Sequence, residues 1–245
     1  ANAMLAQIIS QDWLEARAVV GFWPANSIGD DIVLFSDDTR STELARLHTL
    51  RQQVRHSDSR PNFALADFVA PVDSGLADHV GAFVVSTGNN TDKFSTQFES
   101  EGDDYKAIMV KALADRLAEA LAEYAHDMVR RQLWGYQDCE FPTEDLVRER
   151  YQGIRPAPGY PATPDHTEKE TIFSLTGASK RVGVELTESF AMTPAASVCG
   201  LYLAHPDSRY FGVRRIGDDQ VADYAKRKKM TEAEVRRWLA PIIAR

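Results

Sequence analysis

The stretch Tyr151-Gln152-Gly153-Ile154-Arg155-Pro156-Ala157-Pro158-Gly159-Tyr160-Pro161-Ala162-Thr163-Pro164-Asp165-His166-Thr167-Glu168-Lys169 holds four prolines and two glycines. It lies between an amphipathic helical pattern and a second helix start, which predicts a long ordered loop rather than an element. Loops of this kind usually carry function. Pro156 and Pro158 have fixed φ and no N–H, which predicts an extended run from Arg155 to Gly159. The same two prolines leave the amide and carbonyl of Ala157 to meet something other than a neighbouring strand. Gly159 allows close approach to the backbone. Arg155 offers a planar fork suited to a carboxylate, and Tyr160 a ring suited to a heterocycle or a cation. An amino-acid-like ligand with an aromatic base matches these groups. On the residues alone, so does a rigid surface loop whose arginine makes a structural salt bridge.

Outward from this loop, composition narrows the classes. The chain has 245 residues, 44% hydrophobic and 26% charged, enough for one large core. A net charge of −8 and a pI near 5.3 argue against a general nucleic-acid or anionic-membrane binder. No apolar run spans a bilayer and no leader is visible, so the reading is cytoplasmic. Cys139 and Cys199 have neither metal-ligand spacing nor a disulfide framework and are read as reduced and structural. Ala1 to Ala3 resemble a remnant of tag removal and are left out of the fold argument.

Along the chain, Leu5 to Ala16 has helical spacing and Val19 to Phe22 strand character, closed by Pro24 and a turn through Asn26 to Gly29. Asp31 to Phe35 is the expected partner strand. Asp30 and Asp31 are read as solvated turn carboxylates without a chemical role. Leu44 to Leu50 is assigned to a strand, Gln53 to Asn62 to a loop, and Phe63 to Val69 and His79 to Thr87 to the sheet. Tyr105 to Leu133 carries an apolar stripe through Tyr105, Ile108, Met109, Ala112, Leu113, Leu117, Leu121, Tyr124, Met128 and Leu133, which predicts a long helix. Asp115, Glu119 and Glu123, four apart, place three carboxylates on one face of it, and a solvated acidic face accounts for them on composition.

Thr143 to Arg150 is a shorter expected helix. Thr163 is the expected cap of a helix beginning at Pro164 and running to about Leu175. His166 beside Asp165 suggests an acid/base pair, although helix capping explains the two residues better. Val184 to Leu186, Ala196 to Ala204 and Tyr210 to Arg214 are strand-like. Asp218 to Lys229 and Glu232 to Leu239 are expected helices, the last opened by a Thr231/Glu234 capping box. Clustered strands without strand-helix alternation predict an α+β fold, a single domain with a largely antiparallel twisted sheet and long flanking helices. The glycine-rich turn of Rossmann methyltransferases is absent, as are a hydrolase elbow, a zinc helix and a phosphate loop.

Arg155, Gly159 and Tyr160 form an Arg-x-x-x-Gly-Tyr signature, and with His166-Thr167-Glu168-Lys169 the loop resembles the C-terminal activation domain of cobalamin-dependent methionine synthase. Gly21 to Asn26, Leu65 to Val69, Met109 to Glu119 and Leu186 to Met192 also look like segments of that family. The resemblance covers residues 4–245, without the N-terminal segment in which the family carries a ligand-contacting aspartate. It implies binding of S-adenosylmethionine: Arg155 on the methionyl carboxylate, the backbone at Ala157 and Gly159 on the adenosine, Tyr160 lining the site, and Tyr210 and Phe211 as an aromatic pair in contact with the ligand. Glu119 and Glu149 fall on acidic positions near the ammonium and sulfonium, and Asp115 on a position that faces the cobalamin module.

Thr163 stands where relatives often have cysteine, and Phe211 replaces a frequent tyrosine. The implied function is a module of a methyltransferase that presents the methyl donor for reductive methylation of cob(II)alamin to methylcobalamin. Its implied partners are the cobalamin module of the same enzyme and a flavodoxin-type electron donor. The basic cluster Lys226 to Lys229 with Arg236 and Arg237 is either a docking surface for that donor or a solvated helix end. Two other functions are weighed: a docking module without ligand competence, and a free-standing S-adenosylmethionine methyltransferase, which the missing acid/base set disfavours.

Overall fold

A computed structural model of the chain describes residues 1–55 and 61–244. Residues 56–60, within the loop expected from Gln53 to Asn62, lie outside the described residues. Helix α1 (Asn2–Ser10) buries Met4 and Ile8. It takes in Asn2 and Ala3 and stops at Ser10, short of the expected end at Ala16, because Glu15 already belongs to strand β1 (Glu15–Ile28). β1 runs through Pro24 and through the segment expected to turn. Its pairing with β2 (Asp31–Phe35) starts at Ala25↔Leu34. Pro24 therefore stands one residue outside that ladder, where a missing N–H leaves no hydrogen bond to β2 unmade. The turn is reduced to Gly29, at φ 58, and Asp30.

β3 (Glu43–His48) pairs antiparallel with β2. The apolar Phe63 to Val69 segment contributes no strand; Leu65–Phe68 is a buried 3-10 turn whose Asp67 carboxylate accepts from the Ala64 amide at 2.9 Å. β4 (Asp78–Asn89) is buried from Val80 to Gly88. Helices α2 (Thr91–Ser100) and α3 (Asp104–Met128) follow, α3 ending in a π-helical turn at Val129–Leu133, and then the short α4 (Thr143–Val147). After the proline-rich loop come α5 (Glu168–Thr176), α6 (Ala178–Val182), β5 (Glu185–Leu186), β6 (Met192–Thr193) and β7 (Ser197–Tyr202). α7 (Asp218–Lys228) and α8 (Glu232–Trp238) close the chain.

The main sheet is antiparallel, in the order β3-β2-β1-β4-β7, with β5 and β6 as a separate pair. This is the α+β class predicted. Tyr210 to Arg214 adds no strand to it: the segment is irregular, fixed by the Val213 amide on the Pro161 carbonyl at 2.8 Å.

Contacts divide the chain into two compact units. One comprises residues 1–20, 83–151 and 176–199; the other comprises residues 21–82, 152–175 and 200–245. In the first, the buried side of α3 is made by Ala107, Val110, Ala114, Ala118, Ala122 and Ala125. Tyr105, Ile108 and Tyr124, expected on the apolar stripe, are 71%, 69% and 62% exposed. Small side chains let a helix backbone lie close to its neighbour: the Thr87 hydroxyl donates to the Ala114 carbonyl at 2.7 Å, and Ala114 and Ala118 pack with Ala196, Leu14 and Val198. Large residues cannot occupy such a seam without pushing the elements apart.

In the second unit, Leu50, Val213, Ile216, Val221, Tyr224, Val235 and Leu239 form the core under α7 and α8. The capping box is present: the Thr231 hydroxyl accepts from the Glu234 amide, and the Glu234 carboxylate accepts from the Thr231 amide at 2.8 Å. Thr231→Ala is expected to cost about 1 kcal/mol through the lost cap, read as a lower urea midpoint at unchanged slope.

Candidate functional site

The proline-rich loop is built from both ends in the second unit. Ile154 pairs with Leu203 through two backbone hydrogen bonds of 2.9 and 3.1 Å, and the Pro156 carbonyl accepts from the Leu201 amide at 2.9 Å. The run thus meets the end of β7 through Ile154 and Pro156, the residues before Ala157. The Ala157 carbonyl is also taken, accepting from the Tyr160 amide at 3.1 Å in a turn. That turn needs Gly159 at φ 96, whose amide donates to the Thr163 carbonyl at 2.8 Å. Thr163 is therefore a turn residue and not a helix cap, and α5 starts at Glu168 instead of Pro164.

Arg155 and Tyr210 are brought together: the Arg155 amide donates to the Tyr210 hydroxyl at 3.0 Å. The Tyr160 ring stands 60% exposed on the loop surface. The Phe211 ring packs against Phe63 and Phe68, 6.1 and 6.3 Å between centroids, and lines one cleft together with Tyr210. The His166 ring lies behind Gly159, and its Nδ1 accepts from Lys169 Nζ at 3.0 Å. Burial and the Lys169 charge hold that imidazole below its usual pKa, which suits the acceptor role.

Sequence reasoning missed what fixes the far end of the loop. Lys228, in the last turn of α7, sends its ammonium to Asp165 at 2.7 Å and to Glu168 at 2.5 Å. The Tyr224 hydroxyl donates to the same Asp165 carboxylate at 2.7 Å. Asp165 also accepts from the amide and hydroxyl of Thr167, each at 2.8 Å. Glu168 accepts from the His48 amide at 3.1 Å. Burial raises the Asp165 pKa, but Lys228 and these hydrogen bonds outweigh it and leave the group below the usual carboxylate range. Burial raises Glu168 further than Lys228 lowers it.

Arg227 is likewise turned inward, onto Asp31 and Asp223. Asp31 is buried and also receives His48 and Arg46 at 3.1 and 3.4 Å, so it is no solvated turn carboxylate; Asp30 is held by Arg51 at 2.6 Å. Two members of the basic cluster thus serve internal ion pairs. The visible signal was the meeting of a cationic run with Asp165 and Glu168, which spacing alone does not pair.

In the first unit, Asp115 and Glu119 stand exposed on α3, and Glu149 is exposed beyond α4 at φ 52. In the same unit Arg130 is fully buried at the π-helical turn. Its guanidinium lies 3.8 Å from the Tyr151 ring centre, with Asp127 and Glu123 at 3.2 and 3.7 Å. Cys139 is exposed and Cys199 buried, and neither is in a disulfide. Among the described residues no cluster fits a metal ion, and no helix is long and apolar enough to cross a membrane.

An antiparallel α+β sheet with a buttressed proline-glycine loop places the chain outside the doubly wound class of S-adenosylmethionine methyltransferases. The family model described as vitamin B12 dependent methionine synthase, activation domain, matches residues 1–229, and the chain belongs to that family. It is also similar to a crystal structure of the MetH reactivation domain bound to AdoHcy. The two are 53% identical with a TM-score of 0.97, covering 100% of this chain and 75% of that one.

Proposed function

We propose that the Arg155 loop binds S-adenosylmethionine and presents its methyl group for the reductive methylation of cob(II)alamin to methylcobalamin in a methionine synthase. The observation that carries this reading is the preformed loop: Arg155 held through Tyr210, and Gly159 turned at φ 96 beneath an exposed Tyr160. The similar domain is bound to AdoHcy, which is S-adenosylmethionine without the transferred methyl. S-adenosylmethionine supplies a methyl group already activated on a sulfonium, so this chain contributes binding, orientation and exclusion of water, with no general base. The Arg155 guanidinium pairs with the carboxylate, the bared backbone at Gly159 meets the adenosine, and Tyr160 closes over it. Roles for Glu119 and Glu149 beside the cationic groups, and for Asp115 in docking, rest on the family resemblance. So do the cobalamin module and a flavodoxin-type electron donor as partners.

Calorimetric titration of S-adenosylmethionine tests the proposal. Saturable binding is expected, weakened about tenfold or more by Arg155→Ala, which corresponds to at least about 1.4 kcal/mol. Absence of binding to the unaltered chain, with its fold intact by circular dichroism, would instead leave a docking module.

A further inference from the structure

Arg130 has no exposed surface, yet among the described residues its Nε and Nη1 make no hydrogen bond. A guanidinium buried in that state is costly, and an apolar side chain of similar volume would fill the space as well or better. What an apolar side chain lacks is a charged plane with a fork at its edge, which fixes a ring in both height and direction. The Arg130 guanidinium lies over the Tyr151 ring, 3.8 Å from its centre, while it reaches Asp127 at 3.2 Å and Glu123 at 3.7 Å. Those carboxylates stand one and two turns back along α3. The fully buried His126 ring meets the Tyr151 ring edge-on at 5.2 Å, Phe141 packs on it at 6.4 Å, and the Tyr151 hydroxyl donates to Glu123 at 3.5 Å. The chain between is pinned to the same helix end: the Gln137 amide donates to the Arg130 carbonyl at 3.0 Å, and Arg131 pairs with Glu140 at 2.8 Å.

Glu149 stands two residues before this clamp, in the same unit, exposed and at φ 52. That left-handed conformation is uncommon for a glutamate. Its amide donates to the Leu146 carbonyl at 3.1 Å. A backbone in this region persists where its surroundings fix it from both sides. Here the two sides are the last turn of α4 and the Tyr151 clamp, and the result is a surface carboxylate kept at a set place.

We propose that Arg130 is a positioning residue, acting through Tyr151 to hold the Glu149 carboxylate where it recognises the sulfonium charge of S-adenosylmethionine. This rests on the ligand reading above and adds to it the means by which the charged methyl donor is told from its neutral product. AdoHcy keeps the carboxylate and the adenosine but has no sulfonium charge, so the ratio of the two dissociation constants isolates that recognition. Calorimetric titration of the intact chain with both ligands reads it. Arg130→Met is expected to weaken S-adenosylmethionine about fivefold and AdoHcy by less than about twofold, the size of one exposed charge pair. Asp127 and Glu123 are 21% and 25% exposed and stay hydrated without the arginine, so the fold survives, checked by circular dichroism. Tyr151→Leu, which removes the ring and keeps the charge, lowers the ratio in the same way and carries the test if Arg130→Met does not fold. Glu149→Gln lowers it as far, and Arg130→Met added to that variant lowers it no further. Arg155→Ala weakens both ligands alike, because both have the carboxylate. Equal weakening of the two ligands by Arg130→Met and Tyr151→Leu would make Arg130 a structural residue only and overturn the inference, as would additive losses in the double variant. An unaltered chain that binds neither ligand would remove the Arg155 reading and this inference together; binding of both with a ratio that the variants leave unchanged would remove this inference alone.

Discussion

Lys228→Met lowers the unfolding free energy by about 3–5 kcal/mol, the cost expected when one member of a buried ionic group is removed and its partners stay charged. The side chain is 12% exposed, and those of Asp165 and Glu168 are 3% and 4%. Methionine keeps the volume of the aliphatic stem, so the loss is electrostatic and not a cavity effect. The pH dependence separates this from a packing defect. With Lys228 present, Asp165 titrates below its usual range, so its contribution to stability exists above the unfolded-state pKa and fades as pH falls through the folded one. Glu168, raised by burial, opposes folding when ionised.

Removing the ammonium takes away the lowering influence on both carboxylates. The deficit of the variant is then larger at pH 7 than at mildly acidic pH, because Glu168, already raised by burial, takes up a proton as pH falls. Urea midpoints measured at the two pH values check this, and a deficit independent of pH would refute the electrostatic account. Because Asp165 and Glu168 end the ligand loop, the same variant is also expected to weaken S-adenosylmethionine.

The sequence made the fold class and the loop legible because both depend on local chemistry. Strand clustering without helix alternation marks an antiparallel sheet, and the Pro-x-Pro-Gly run excludes helix and interior strand alike. What stayed hidden depends on partners distant in sequence. Pro24 looked like a strand terminator, and only the register Ala25↔Leu34 shows that it lies outside the β2 ladder. The stripe on α3 was drawn mostly through large apolar residues, and Met109, Leu113 and Leu117 do pack on the core, yet the tightest seam uses alanines, since closeness to Thr87 and Ala196 sets the permitted size. Lys228 and Asp165 are 63 residues apart, so a cationic helix end looked like a solvated one. Phe211 was paired with Tyr210 by the family resemblance; its packing on Phe63 and Phe68 again depends on partners distant in sequence.

Gly159→Ala is expected to cost about 2–4 kcal/mol in stability and at least about tenfold in affinity for S-adenosylmethionine, from two sources that can be separated. The first is backbone strain: φ 96 is a conformation L residues rarely adopt. The second is steric, because an added Cβ would lie 2.3 Å from His166 Cε1 and 2.7 Å from its Nδ1. The imidazole can swing aside only by giving up Lys169 Nζ, 3.0 Å away. A double-mutant cycle with His166→Ala divides the two. If the clash dominates, Gly159→Ala becomes much milder in the His166→Ala background, and the coupling is large. If backbone strain dominates, the two changes add. Affinity should follow the strain component, since the relaxed turn no longer brings the bare backbone at residue 159 to the ligand. Recovered stability without recovered binding would therefore assign Gly159 to ligand approach, and recovery of both would reduce it to making room for His166.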